Sequence, residues 1–193
     1  MANTANATAK IVAAMAKTVE GHALNDTVQK SLSLSVDLVS ARTGETIQVY
    51  ADQGILQETG ATGDADRVVM NFSDGTLSDV YGDAVTMDNI YAIGVWNISQ
   101  TAATIDGVPF TANTEAILQI GGTETGAEDV SSLWAADGDA IKLPCGADGG
   151  AFLICCDAGW ALGTGTTGSE LMIQNLDDAD AAYSVIIVGS VNA

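Results

Sequence analysis

A chain of 193 residues with 25 acidic side chains against six basic ones and a single histidine carries a formal charge of −19. That balance argues against nucleic-acid binding, which draws its affinity from Lys and Arg, and against an anionic membrane surface. It also leaves little of the usual equipment for His- or Lys-dependent catalysis, while a hydrophobic content of 47% can still fill one domain's core without disulfides or metals.

No segment reaches the roughly 18 apolar residues that a membrane helix needs. The N-terminus lacks the basic-then-apolar order of a signal peptide, since Lys10 and Lys17 are interleaved with apolar residues. Cys145, Cys155 and Cys156 are odd in number, and two are adjacent. Such spacing suits neither a disulfide framework nor paired metal ligands, and fits reduced thiols made in a cytoplasm.

Residues Ala7 to Glu20 read as a helix, with Ile11, Val12, Met15 and Val19 near a 3.6-residue period. Thr4 or Asn6 would cap it and Gly21 would end it. Its apolar stripe, Ile11, Met15 and Val19, is narrow. Such a helix needs a partner, either its own sheet or a neighbouring subunit, and we expect an assembly arm over residues 1–30 ahead of a β-domain over 31–193. From Ser31 the period becomes two: Leu32, Leu34, Val36 and Leu38 alternate with Ser31, Ser33, Ser35 and Asp37. Strands are then expected at Thr46–Ala51 after the turn Arg42–Glu45, and at Arg67–Phe72 after a loop over Gly54–Gly63. Asn71–Gly82 is turn-rich. Asn89–Ser99 is the strongest central strand, apolar on both faces, so both are expected to be covered. Short runs follow at Ala103–Ile105, Glu115–Ile120, Ala140–Leu143, Ala151–Cys156, Gly159–Leu162, Glu170–Gln174 and Tyr183–Val188.

About ten strands joined by glycine turns, with no helices between them, predict an all-β fold. We read it as an antiparallel, jelly-roll-like β-sandwich of about ten strands with a short N-terminal helix. The expected core is Leu34, Val36, Ile93, Val95, Trp96, Leu153, Ile173, Ile186 and Val188.

No constellation of catalytic residues stands out. His22 lies at the expected helix exit with no second histidine to share a metal, a position that suits the last helix carbonyls. Asp177, Asp178 and Asp180, the pair around Gly138 (Asp137 and Asp139), and Asp64 with Asp66 offer hard oxygen ligands. None matches a calcium loop, and Asp-rich turns are common because Asp bonds its own backbone. The glycine clusters at Gly121–Gly122, Gly146–Gly150 and Gly163–Gly168 lack the lysine and following helix of a phosphate cradle. We therefore expect no catalytic residue, no cofactor and no metal.

A further observation is the order of motifs from about residue 60 to the end. Gly60-Ala61-Thr62-Gly63-Asp64-Ala65-Asp66-Arg67 leads into a strand. Asp88-Asn89-Ile90-Tyr91-Ala92-Ile93-Gly94-Val95-Trp96-Asn97 is a strand ending on Asn. Ala140-Ile141-Lys142-Leu143-Pro144 precedes Gly149-Gly150-Ala151-Phe152-Leu153. Asp157-Ala158-Gly159-Trp160-Ala161-Leu162-Gly163-Thr164-Gly165 follows, and Tyr183-Ser184-Val185-Ile186-Ile187-Val188-Gly189 closes the chain. In this order and spacing the chain resembles small virion structural proteins of tailed bacteriophages. The resemblance implies a non-enzymatic particle component: a capsid decoration (cement) protein, or a head-fibre or tail accessory. The implied partners are the major capsid protein or other virion proteins and further copies of itself, in a virion assembled in the host cytoplasm. The N-terminal third does not share the resemblance, and no functional residues carry over. Two other classes compete. A carbohydrate- or receptor-binding module would expose Trp134 and Trp160, and a hydrolase would use an acidic pair.

Overall fold

The computed structural model describes residues 6–19, 22–37, 45–79, 82–122, 139–145, 149–163 and 168–192, except for the side chains of 6–19, 22–37, 157 and 158. The chain is all-β and antiparallel. Strands β1 (Asn6–Val19) and β2 (His22–Asp37) form a long two-stranded ribbon. Next come β3 (Glu45–Leu56), β4 (Arg67–Asn71), β5 (Asn89–Asn97), β6 (Ala103–Ile105), β7 (Val108–Phe110) and β8 (Ile117–Gly121). The chain ends with β9 (Ala140–Pro144), β10 (Gly150–Ala161), β11 (Glu170–Asn175) and β12 (Ala181–Asn192). A first four-stranded sheet has the order β10-β5-β12-β3, a second has β4-β11-β8-β9, and β6 pairs only with β7.

The expected helix over Ala7–Glu20 is corrected: this stretch runs as β1, with Ile11 opposite Leu32 and Met15 opposite Val28. The physical reason is an ambiguity of spacing. Ile11, Met15 and Val19 are four residues apart, which puts them on one side of a helix and equally on one face of a strand. The run Ser31–Asp37 has an unambiguous two-residue period, and its pairing with residues 6–12 carries β1 into extended structure. Strand β2 crosses residues 30 and 31 unbroken, where the sequence reading sets a domain boundary.

The remaining strands fall close to expectation, with three differences. Strand β3 runs on through Leu56 into the loop expected at Gly54–Gly63, because its pairing with β12 continues to Ala181. The runs at 151–156 and 159–162 join into one strand, β10, through a bulge between Cys155 and Trp160. Gly159 makes that bulge possible: its φ is 77°, and a Cβ there would lie 2.5 Å from the Tyr91 ring. Strand β7 is unannounced by pattern because it is three residues long and contains Pro109. Its turn is a tight one, with Asp106 and Gly107 at φ of 49° and 83°. The turn residues Arg42–Gly44 and residues 146–148 lie outside the described residues.

The register builds the core in rows. Across the first sheet, Ile154, Ile93, Ile187 and Tyr50 stand side by side, as do Phe152, Val95 and Val185. Across the second sheet the matching row is Ile141, Ile120, Ile173 and Val68. Side chains from both sheets meet in one apolar cluster, where Tyr50 and Phe72 pack edge to face at 5.9 Å. A buried amide ties the sheets together. Asn97, at the end of β5, donates to the carbonyls of Ala116 (3.1 Å) and Leu143 (3.0 Å) and accepts from the Ser99 hydroxyl at 2.7 Å. Asn97 is buried, so each of these bonds satisfies a group that would otherwise be stranded.

Of the expected core, Ile93, Val95, Ile173 and Val188 are buried. The side chains of Leu34 and Val36 lie outside the described ones. Trp96, Leu153 and Ile186 are corrected, being 36%, 39% and 39% exposed. They occupy the outer face of the first sheet, which is apolar in sequence yet open along these positions.

Candidate functional site

The open part of that outer face is the chain's best candidate for a binding site. Pairing places Leu153, Gly94, Ile186 and Ala51 in one row across four strands, and Ala151, Trp96, Ser184 and Gln53 in the next. Gly94 decides how Trp96 sits. A Cβ at position 94 would come within 2.6 Å of the far end of the indole and 3.2 Å of an Ile186 methyl. Only glycine therefore lets the indole lie across the neighbouring strand position without displacing it. Beside the indole is an open hollow of about 490 Å³, lined by Trp96, Ile186, Ala51, Gln53 and Ser184 on the outer face and bordered by Asp52, Val185 and Asp106. Among the described residues, no Lys, Arg or His lines it.

Two devices fix the acidic rim. Tyr183 donates its hydroxyl to Asp52 at 2.7 Å. Burial pushes both the Tyr183 and Tyr50 phenols well above the usual tyrosine value, and the adjacent Asp52 adds to it. Tyr183 therefore stays a neutral donor that holds the carboxylate in place. Asp106 is set by the β6–β7 turn, whose other side borders a second hollow of about 280 Å³ lined in part by Val108, Pro109, Gln57 and Asp180.

The other candidates have structural roles. Asp177 accepts from the Asn113 amide at 2.7 Å, and its backbone N–H donates to the Asn175 side chain at 3.0 Å, so this acidic segment is a hydrogen-bonded turn. Asp66 is buried: desolvation alone would raise its carboxyl, but hydrogen bonds from the Gln174 amide and the Gly60 N–H, with the Arg67 charge, hold it below the usual carboxylate range. Asp64 pairs with Arg67. Asp139 is described, whereas Asp137 and Gly138 lie outside the described residues, as does Trp134. Trp160 is half-buried and packed against the core. Among the described residues, no three His, Cys, Asp or Glu side chains are grouped so as to hold a metal ion. No described helix is long and apolar enough to cross a membrane. The thiols of Cys145, Cys155 and Cys156 are free, and burial raises the first two.

Ile11, Met15 and Val19 fall in β1, where side chains are outside the described set, and His22 begins β2. Sequence reasoning missed Trp96 as a surface residue. The available signal was Gly94, two positions earlier and therefore on the same strand face. Comparison with known proteins adds no relative: no protein-family model, no curated protein and no solved structure matches the chain.

Proposed function

We propose that the chain is a non-enzymatic structural protein of a tailed-bacteriophage particle, a capsid decoration (cement) protein that oligomerises and holds the capsid through its N-terminal ribbon. In this reading the two sheets form a jelly-roll-like β-sandwich, and the major capsid protein and neighbouring copies are the partners. The observation that carries it is the ribbon itself. Among the described residues, strands β1 and β2 pair with each other over their length and share no ladder with either four-stranded sheet, touching the first where β2 comes near β10. An isolated two-stranded ribbon is marginal in water, so one this long needs a surface to lie on.

Charge supports the same division of labour. Residues 1–44 hold four basic and three acidic side chains, while residues 45–193 hold two basic and 22 acidic. The strongly acidic body stays solvated and repels other bodies, whereas the nearly neutral ribbon can approach another protein without that penalty. Ile11 and Met15 share one strand face by their spacing and, with Val19 beyond the register shift after Lys17, are the residues we assign to the contact. The sequence resemblance of the body to virion proteins points the same way.

The test is retention on washed particles. Full-length protein should remain with purified virions, seen by mass spectrometry and as ordered density by cryo-electron microscopy. Protein lacking residues 1–37 should still fold and melt cooperatively as a β-domain yet wash off. Absence of the full-length polypeptide from washed particles overturns the proposal.

A further inference from the structure

We infer that the Trp96 hollow on the first sheet is a binding site for a neutral saccharide. This site is separate from the ribbon, and it stands or falls independently of any role on a particle.

The argument begins with the indole. Trp96 leaves about a third of its surface exposed although it lies on a central strand of its sheet. It is accommodated by a glycine on the adjacent row, with Ile186 as its apolar neighbour. An aromatic face of this kind has a negative quadrupole and attracts the slightly positive C–H face of a sugar ring. The surrounding groups supply the second half of saccharide recognition. Gln53 and Ser184 can each donate and accept a hydrogen bond, and Asp106, exposed at the border of the hollow, accepts strongly from hydroxyls. The volume, about 490 Å³, falls within the usual range for small-molecule sites, roughly 300–1,000 Å³.

Charge narrows the ligand class. With Asp106 and Asp52 at its border and no Lys, Arg or His among the described lining residues, the hollow disfavours phosphate, sulfate and sialylated or uronate sugars. What remains is a neutral sugar. A cationic partner side chain would also suit an indole beside carboxylates. The observations favour the sugar. Asp52 already accepts a hydrogen bond from Tyr183, and the lining adds uncharged Gln53 and Ser184, which match hydroxyls better than an ammonium or guanidinium group.

The experiment titrates the full-length protein with neutral oligosaccharides built on glucose, galactose, mannose or N-acetylglucosamine, following the tryptophan indole N–H signals by NMR. The Trp96 signal is assigned by its loss in Trp96→Phe. The expected result is a saturable shift of that signal with at least one saccharide. Trp96→Ala should weaken the response at least about tenfold, and Trp96→Tyr should keep most of it. Gln53→Ala, on the rim of the hollow, should weaken binding while leaving the melting temperature unchanged. No shift at about 10 mM saccharide, a concentration well above any affinity worth the name of a site, overturns the inference. A saccharide shift that survives Trp96→Ala overturns it too. A response to argininamide but to no saccharide overturns it in favour of a cationic protein partner.

Discussion

The outer faces of the two four-stranded sheets differ along their central rows, although the second also exposes Val69 and Ile117 beside its polar row. On the second sheet one row across the strands reads Lys142, Gln119, Gln174 and Arg67, one polar residue per strand. On the first sheet the corresponding rows read Leu153, Gly94, Ile186, Ala51 and then Ala151, Trp96, Ser184, Gln53. An antiparallel sheet with one solvated face alternates apolar and polar residues, and the second sheet does so along this row. The first sheet has nearly lost that alternation, yet part of its second face is open. A sheet face kept apolar without being buried is shaped by something other than the fold's own stability, and contact with a ligand or partner is the physical reason that fits.

The contrast can be broken most severely from inside. Ile93 and Ile173 are fully buried, one on the inner face of each sheet. Replacing either with Asp buries an unpaired charge, and the expected loss is about 4 kcal/mol or more, a large part of a typical domain's total stability. Thermal melting followed by circular dichroism should show both variants melting well below the parent protein. If either melts normally, the inner faces have been assigned to the wrong side.

The sequence made much of this arrangement readable, and its failures have identifiable causes. The strands β5, β9 and β11 were legible because their alternation and glycine borders agree. The helix expected at Ala7–Glu20 was not, because a spacing of four serves both periodicities and only the pairing with β2 decides between them. Trp96, Leu153 and Ile186 read as core because hydrophobicity reports what water disfavours, not which side of a sheet is covered. A strand apolar on both faces looks the same whether its second face meets protein or stands open. The candidate site was correspondingly hidden: Asp52, Gln53, Ser184 and Asp106 come from two separate strands and a turn, and only the register brings them near Trp96.

A smaller effect should sharpen the polar side of the comparison. The Gln174 amide, in the polar row, donates to Asp66, whose carboxyl is held below its usual range. A carboxylate lowered on folding stabilises the protein at pH above its unfolded value, about 4, and that contribution disappears as pH falls through the folded value. Asp66→Asn should therefore be less stable than the parent at pH 7, with the gap closing as pH drops below about 4. Urea denaturation across that range measures the gap. A constant gap from pH 7 to pH 3 would show that Asp66 contributes no charge-dependent stability.

The smallest effect is expected on the open apolar row, at Ile186→Asp. Ile186 sits on the same strand as the buried Ile187 but on the opposite face, and 39% of it remains exposed. An aspartate there keeps its carboxylate in water and loses only part of the apolar contact that isoleucine makes with its neighbours. The expected cost is about 1 kcal/mol, against several for the same substitution at Ile93. Both changes introduce the same side chain into paired positions of one sheet, so strand propensity largely cancels and the difference reports the covering of the two faces. Equilibrium unfolding of the two variants under one set of conditions gives that difference directly. A loss at Ile186 as large as that at Ile93 would mean that the outer face is covered in solution, and the Trp96 hollow would then be closed to any ligand.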